Sequence, residues 1–219
     1  SPDIGEAGTT CEVDLRCANS MHTSAQSGVV NMMTHRGLVS ISAGDYHTCG
    51  IDLYGAAWCW GRNNSGELGN GTIIGQTTPV PVFGLSSNVT LISAGFSHTC
   101  AIHSGAAFCW GRNAYGQLGD GTTTGRLSPI SVSGLGSNVT FLTSGGTFTC
   151  AIHQGAAKCW GLNNHGQLGD STTTNRTTPV VVSGLSSNVI FLHAGSAHAC
   201  AVHQGIGKCW GYNSDGQVG

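Results

Sequence analysis

Apolar and polar positions come in short bursts that reverse on themselves. Cys100-Ala101-Ile102-His103 runs up to Ser104-Gly105 and returns through Ala106-Ala107-Phe108-Cys109-Trp110. No helical spacing of apolar residues occurs anywhere. The pattern predicts a β-hairpin closed by a two-residue turn, in which Gly105 supplies the positive φ such turns require. Counting outward from the turn, His103 faces Ala106, Ile102 faces Ala107, Ala101 faces Phe108 and Cys100 faces Cys109. Sulfurs so opposed are within reach of a disulfide if the pair is a non-hydrogen-bonded one. Gln154-Gly155 and Gln204-Gly205 repeat the register and oppose Cys150 to Cys159 and Cys200 to Cys209. The first copy has one residue more, so Leu53-Tyr54-Gly55 makes a three-residue turn with a bulge at Gly55, and Cys49 still meets Cys59.

The hairpin recurs. Trp60, Trp110, Trp160 and Trp210 are spaced by 50, and a period of that length signals a solenoid, a propeller or an array. Each period orders a strand leading into a motif such as Ser42-Ala43-Gly44, the cysteine hairpin, a long Gly/Asn/Thr loop, and a strand such as Pro79 to Leu85 or Pro179 to Leu185. The run Val180-Val181-Val182 suggests that this last strand is covered on both faces. Three to four short strands per period make a propeller blade. The all-β chain divides into an N-terminal arm, 1–37, and repeats at about 38–87, 88–137, 138–187 and 188–219. The last repeat stops before its final strand. A shift of 51 lays Val29-Val30-Asn31-Met32-Met33 on Val80-Pro81-Val82-Phe83-Gly84, so the arm is expected to carry a blade-completing strand near 29–33, used within the chain or by a neighbouring molecule.

ISAGFSHTCAI followed by CWGRNAYGQLGDGT, with counterparts CWGRNNSGELGNGT and CWGLNNHGQLGDST, resembles RCC1-type repeats over about Leu38 to Gly219. The cysteine-bearing version is similar to that of secreted members of the β-lactamase inhibitor protein II type. The resemblance implies a β-propeller, usually of seven blades, which at this period needs ~350 residues. The chain has 219, so the propeller is expected to be incomplete or open. One departure is Phe148, where other copies have His47, His98 and His198. The nuclear founding member is a nucleotide exchange factor that binds chromatin, but this chain lacks a basic tail.

Composition narrows the class. Charged residues are 8%, glycines number 35 and the formal charge is −2, which gives no electrostatic footprint for nucleic acid or an anionic membrane. No apolar run approaches the ~20 residues of a membrane helix. Ten cysteines, eight in register-matched pairs and Cys11 and Cys17 taken as a fifth, argue for an oxidising compartment. The expected location is extracellular, secreted or at the cell surface, with a leader removed ahead of Ser1. Sequons at Asn63, Asn70, Asn88, Asn138 and Asn175 agree with that compartment.

Candidate chemistry is sparse. A Cys, a second Cys nine residues on and a nearby His is not a zinc spacing. His47, His98 and His198 invite a metal or proton-transfer role, but repeat-related polar residues on inner strands usually satisfy groups between blades. His103, His153 and His203, beside the turns, are read as exposed. The periodic tryptophans are read as packing between blades. The Asp-Gly-Thr near Asp120, Asp-Ser-Thr near Asp170 and the Asn70 copy lack the carboxylate series of a calcium loop and are read as turns. No metal, cofactor or catalytic constellation is expected. Variation inside the fixed loop frame is more telling: Arg62, Arg112, Leu162 and Tyr212 share one position, and Ser65, Tyr115, His165 and Asp215 another. Such loop-borne variation on a rigid scaffold points to a contact surface for a protein partner or for self-association. The expected function is a non-catalytic extracellular interaction or assembly module, with a place as a subunit of a larger assembly or filament among the expectations. A carbohydrate- or ligand-binding propeller and, behind it, a small-GTPase regulator are the alternatives.

Overall fold

The computed structural model describes residues 37–219; the proposed strand near 29–33, the rest of the arm, and Cys11 with Cys17 lie outside them. Among the described residues fifteen strands form four antiparallel sheets. The first holds β1 (Leu38–Ala43), β2 (His47–Asp52), β3 (Ala57–Gly61) and β4 (Gln76–Pro81). The second holds β5 (Val89–Ala94), β6 (His98–His103), β7 (Ala106–Gly111) and β8 (Arg126–Ser131). The third holds β9 (Val139–Ser144), β10 (Phe148–His153), β11 (Ala156–Gly161) and β12 (Arg176–Val181). The fourth has three strands, β13 (Val189–Ala194), β14 (His198–His203) and β15 (Ile206–Gly211). Strands pair in sequence order within each sheet, and the innermost strands β1, β5, β9 and β13 rest against one another in series. These are propeller blades, and no sheet is closed.

The hairpins carry the register read from the sequence, with Cys100 opposite Cys109, Cys150 opposite Cys159, Cys200 opposite Cys209 and Cys49 opposite Cys59. Ser104 and Gly105 both take positive φ, 51° and 78°, which is the turn whose twist matches that of the strands it joins. The paired Cα atoms are 4.0–4.1 Å apart and each pair is joined by a disulfide. That separation marks non-hydrogen-bonded pairs.

Two departures from alternation have identifiable causes. Val89 and Ile92 are both buried although three residues apart, because a bulge skips Thr90 between the pairs Val89↔His103 and Leu91↔Ile102 and so resets which face each residue meets. The outer strand begins and ends earlier than the sequence suggests, at Gln76–Pro81 and Arg176–Val181 rather than Pro79–Leu85 and Pro179–Leu185. Val82 leaves the strand, bonds from its N–H to the carbonyl of Ala57, and accepts from the Leu85 N–H. Val82 and Leu85 are thus buried as a turn plug. Val181 is 44% exposed, so the three-valine run belongs to an outer edge and not to a strand covered on both faces.

The core lies between blades. One cluster joins Cys49, Ile51, Leu68, Val82 and Leu85 of the first blade to Val89, Ile92, Ala101 and Trp110 of the second. Equivalent clusters follow at the next two junctions. Trp110 and Trp160 are fully buried, and each indole N–H donates across the junction, to the carbonyls of Glu67 at 2.8 Å and Gln117 at 2.9 Å. A Cβ on Gly69 would come within 2.7 Å of the Trp110 indole nitrogen, so glycine there is what lets the ring lie flat on the preceding blade.

Candidate protein-contact face

Each long loop is anchored to the connection between the first two strands of its own blade. Arg62 N–H donates to the Tyr46 carbonyl, Arg112 to Ser97, Leu162 to Thr147 and Tyr212 to Ala197, at 2.8–3.0 Å. Loops and connections therefore emerge at the same end of every blade. Inside the loop an asparagine is the organiser. Asn113 accepts from the Leu118 N–H and donates to Asp120 and to the carbonyls of Thr122 and Thr124, and Asn63 and Asn163 repeat the pattern. The Gln117 side chain accepts from Tyr115 N–H, Gln167 from His165 and Glu67 from Ser65. The buried frame holds the residues between its fixed points outward.

The loop's acidic end closes the frame and has a turn's geometry. Asp120 accepts from Thr122 and from Arg126, and Asp170 from Thr172 and Arg176. Burial alone would raise the Asp120 carboxyl, but hydrogen bonds from Arg126, Thr122 and Asn113 outweigh it and hold the group below its ordinary value. Asp170 behaves alike, with Thr172 ahead of Arg176. The first blade has neutral Asn70 and Gln76 at these two positions, so charge is present or absent as a pair.

The variable residues divide. Arg112, Tyr115, Leu162 and His165 line one cleft of about 320 Å³ together with Phe96, Gly146, Thr147 and Ser196. Tyr212 reaches it through His165, the ring centroids being 4.7 Å apart. Arg62 lies instead over the ring of Tyr46 at 5.3 Å, and Ser65 and Asp215 do not line the cleft. Sequence reasoning missed Phe96 and Gly146. The signal was available, since Asp45, Phe96, Gly146 and Ser196 occupy one position of the repeat and differ in every copy. A second cleft of about 410 Å³ lies at the inner ends of the blades, between Gly44, Gly95, Gly145 and Gly195.

The histidines belong to the blade junctions. His98 Nε2 is 2.9 Å from the Thr149 hydroxyl, which itself donates to the Gln117 carbonyl at 2.9 Å. The hydroxyl has one proton and spends it on Gln117, so His98 must donate, with its proton on Nε2. His47, Thr99 and Glu67 form the same node. Nδ1 of both rings is buried without a partner. Burial pushes His47 down to about 4 and, with the neighbouring His47 adding to it, His98 down to about 3. At the third junction Phe148 replaces the histidine, and Ala199 replaces the threonine it would have met. Among the described residues no three His, Cys, Asp or Glu side chains are placed to hold a metal.

Four further residues, Asn63, His103, His153 and His203, stand apart from their expected roles. Asn63 is a sequon residue, but its side chain is fully buried and its amide donates to Thr72 and Ile74 carbonyls; the loop frame leaves no room for a glycan there. Asn88 and Asn138 are exposed. Asn175, also exposed, accepts from the Asn163 N–H. His103, His153 and His203 are half-buried rather than exposed, because the cross-strand neighbours cover them, as Phe108 covers His103.

Anchored loops at one end of disulfide-clipped blades, joined through buried tryptophans, define a β-propeller. The family model for the regulator of chromosome condensation (RCC1) repeat matches residues 54–102, 104–152 and 155–202, more than half of the chain. The chain therefore belongs to the RCC1 repeat family. It is 35% identical over 66 residues to the mitochondrial RCC1 domain-containing protein RUG3 of Arabidopsis thaliana, covering 30% of this chain and 15% of that one. Human WBSCR16 superposes with a TM-score of 0.73 at 24% identity, over 83% of this chain and 49% of that one. Yeast RCC1 (Prp20), solved bound to Kap60, gives 0.71 at 24% identity over 84% and 44%. The chain thus spans about half the length of these solved relatives.

Proposed function

We propose that the chain is a non-catalytic protein-interaction module of an extracellular or secreted protein, and that its contact surface is the loop face carrying Arg112, Tyr115, Leu162, His165 and Tyr212. One observation carries this reading: five of the eight residues that differ between copies, Arg112, Tyr115, Leu162, His165 and Tyr212, are held by the repeated asparagine-centred loop frame at one cleft. The four disulfides support an oxidising compartment. Yeast RCC1 (Prp20), which shares this fold, is solved bound to another protein, Kap60. The test is a biosensor screen against an array of extracellular proteins. Any binder should be lost with Arg112→Ala/Tyr115→Ala/His165→Ala and kept with Tyr54→Ala at the opposite hairpin end; the reverse result overturns the reading.

An assembly role has its own support. The junction is directional, with His, Gln carbonyl and hydroxyl on one blade meeting Thr, Trp and backbone N–H on the next. The first blade presents Thr48 and Trp60, and the fourth presents His193 and His198, as the two unmatched halves among the described residues. Contact of these faces with further blades, in the same chain or in another molecule, fits that chemistry, and the strand near 29–33 would supply a missing edge. Light scattering decides self-association: a concentration-independent monomer sinks it. Native mass spectrometry with oligosaccharides tests the ligand-binding alternative at the inner cleft flanked by Asp45 and Phe96.

A further inference from the structure

We infer that the cleft between the second and third blades receives an acidic loop of a protein partner, with a carboxylate on Arg112 and a neighbouring apolar side chain between Phe96 and Leu162. The inference rests on the loop face being a protein-contact surface, and adds what that surface selects.

Charge sets the partner's sign. Arg112 is exposed and lines the cleft. Arg126 and Arg176 are paired with Asp120 and Asp170, and Arg62 lies over Tyr46, whereas Arg112 has no carboxylate partner among the described residues. Among the described residues no Asp or Glu lines the cleft. A planar guanidinium with free donors beside aromatic rings selects a carboxylate, which it binds through two parallel hydrogen bonds. One such cation does not suit a nucleic acid, which needs several phosphate contacts for useful affinity.

Shape sets the neighbour. Phe96 is 46% exposed, an aromatic surface open to solvent, and Leu162 and the His165 ring line the same cleft. The His165 ring is held by Tyr212, so its place in the lining is preorganised and its ordering cost is reduced. The floor is open because of Gly146, the counterpart of Phe96 in the next blade. Its N–H donates to the Ser196 carbonyl at 3.0 Å, and a Cβ would lie 2.6 Å from that oxygen. A side chain there would collide with backbone, so the glycine keeps both the junction and the cleft. Aromatic and arginine residues around a small pocket are the composition of an interface hot spot.

The test is selection of a constrained random peptide library on the intact protein. Binders are expected to converge on Asp or Glu next to Phe, Leu or Trp. A synthetic consensus peptide should lose about tenfold in affinity or more when its acid is made the amide, or with Arg112→Ala. Arg112→Glu should turn the selection toward Lys or Arg; the side chain is exposed, so the variant folds. A consensus without an acid, or the same acidic consensus on Arg112→Glu, overturns the inference while leaving the face intact. Peptides insensitive to Arg112, Tyr115 and His165 alike overturn the face itself.

Discussion

Transplanting the third blade junction onto the second tests whether Phe148 and Ala199 are a matched pair. His98→Phe and Thr149→Ala together reproduce it. Thr149→Ala alone strands the His98 Nε2–H donor, whose only acceptor in this fully buried site is the Thr149 hydroxyl at 2.9 Å. A buried donor left unsatisfied costs about 1–3 kcal/mol. His98→Phe alone strands nothing, since Thr149 still donates to the Gln117 carbonyl, but it forces a larger ring against the threonine, and overpacking costs about 1–3 kcal/mol. The double variant removes both penalties, because alanine makes the room that Ala199 makes for Phe148. It should lie within about 1 kcal/mol of the parent, so the coupling should amount to roughly 2 kcal/mol or more, well beyond the ~0.5 kcal/mol scatter of independent sites. Urea unfolding of the oxidised protein at pH 8, followed by tryptophan fluorescence, measures all four members of the cycle. Additive single effects would refute the pairing and leave the composition of the third junction unexplained.

Other outcomes follow from the same geometry. His47 and His98 stay neutral in the fold, with values near 4 and 3 against an ordinary 6.5, so the unfolded chain binds protons that the folded one does not. Their stability contribution is complete above pH 6.5 and falls on acidification by about 1.4 kcal/mol per pH unit for each, flattening near pH 4 for His47 and pH 3 for His98; the double variant should show a slope smaller by one histidine in the same urea series. Asp120→Asn should destabilise by about 1 kcal/mol through loss of the Arg126 pairing, and adding Arg126→Gln, which recreates Asn70 with Gln76, should recover part of it in thermal melts. Replacing Cys100 and Cys109 together by Ala should lower stability by on the order of 2–3 kcal/mol for a loop of that length; peptide mapping without reduction that finds both as free thiols in the parent would remove the bond. On expression in a glycosylating host, mapping should find Asn63 unmodified, and a glycan on it would mean that the loop frame opens.

Much of this was legible because the repeat supplies four readings of one design. The hairpin register came from counting outward from Ser104-Gly105, and the packing role of the tryptophans from their fixed spacing. What was less legible depends on contacts about 50 residues apart. Thr149 looks unremarkable beside Cys150 until His98 is seen to bond it, and the loss of both at Phe148 and Ala199 reads as drift when only one column of the repeat is followed. The outer strand was misplaced because Val82 and Leu85 are apolar for a turn's sake and not a strand's. The sequon at Asn63 names a tripeptide, whereas the burial of its amide is set by carbonyls nine and eleven residues on. Half of the contact cleft shows in the sequence as varying loop columns, and the other half lies in the Asp45-to-Ser196 column, which varies as much but sits between two strands.

Because every junction is made the same way round, the blades behave as links in series, each coupled only to its neighbours, as in a nearest-neighbour chain. Such a chain parts at its weakest link under a given stress, and the links here are not equivalent. Acid loads the two junctions that carry neutral histidines and spares the one closed by Phe148 against Ala199. On acidification the third and fourth blades should therefore stay joined while the two histidine junctions ahead of them give way, so that the matched pair Phe148 and Ala199 decides where the molecule holds.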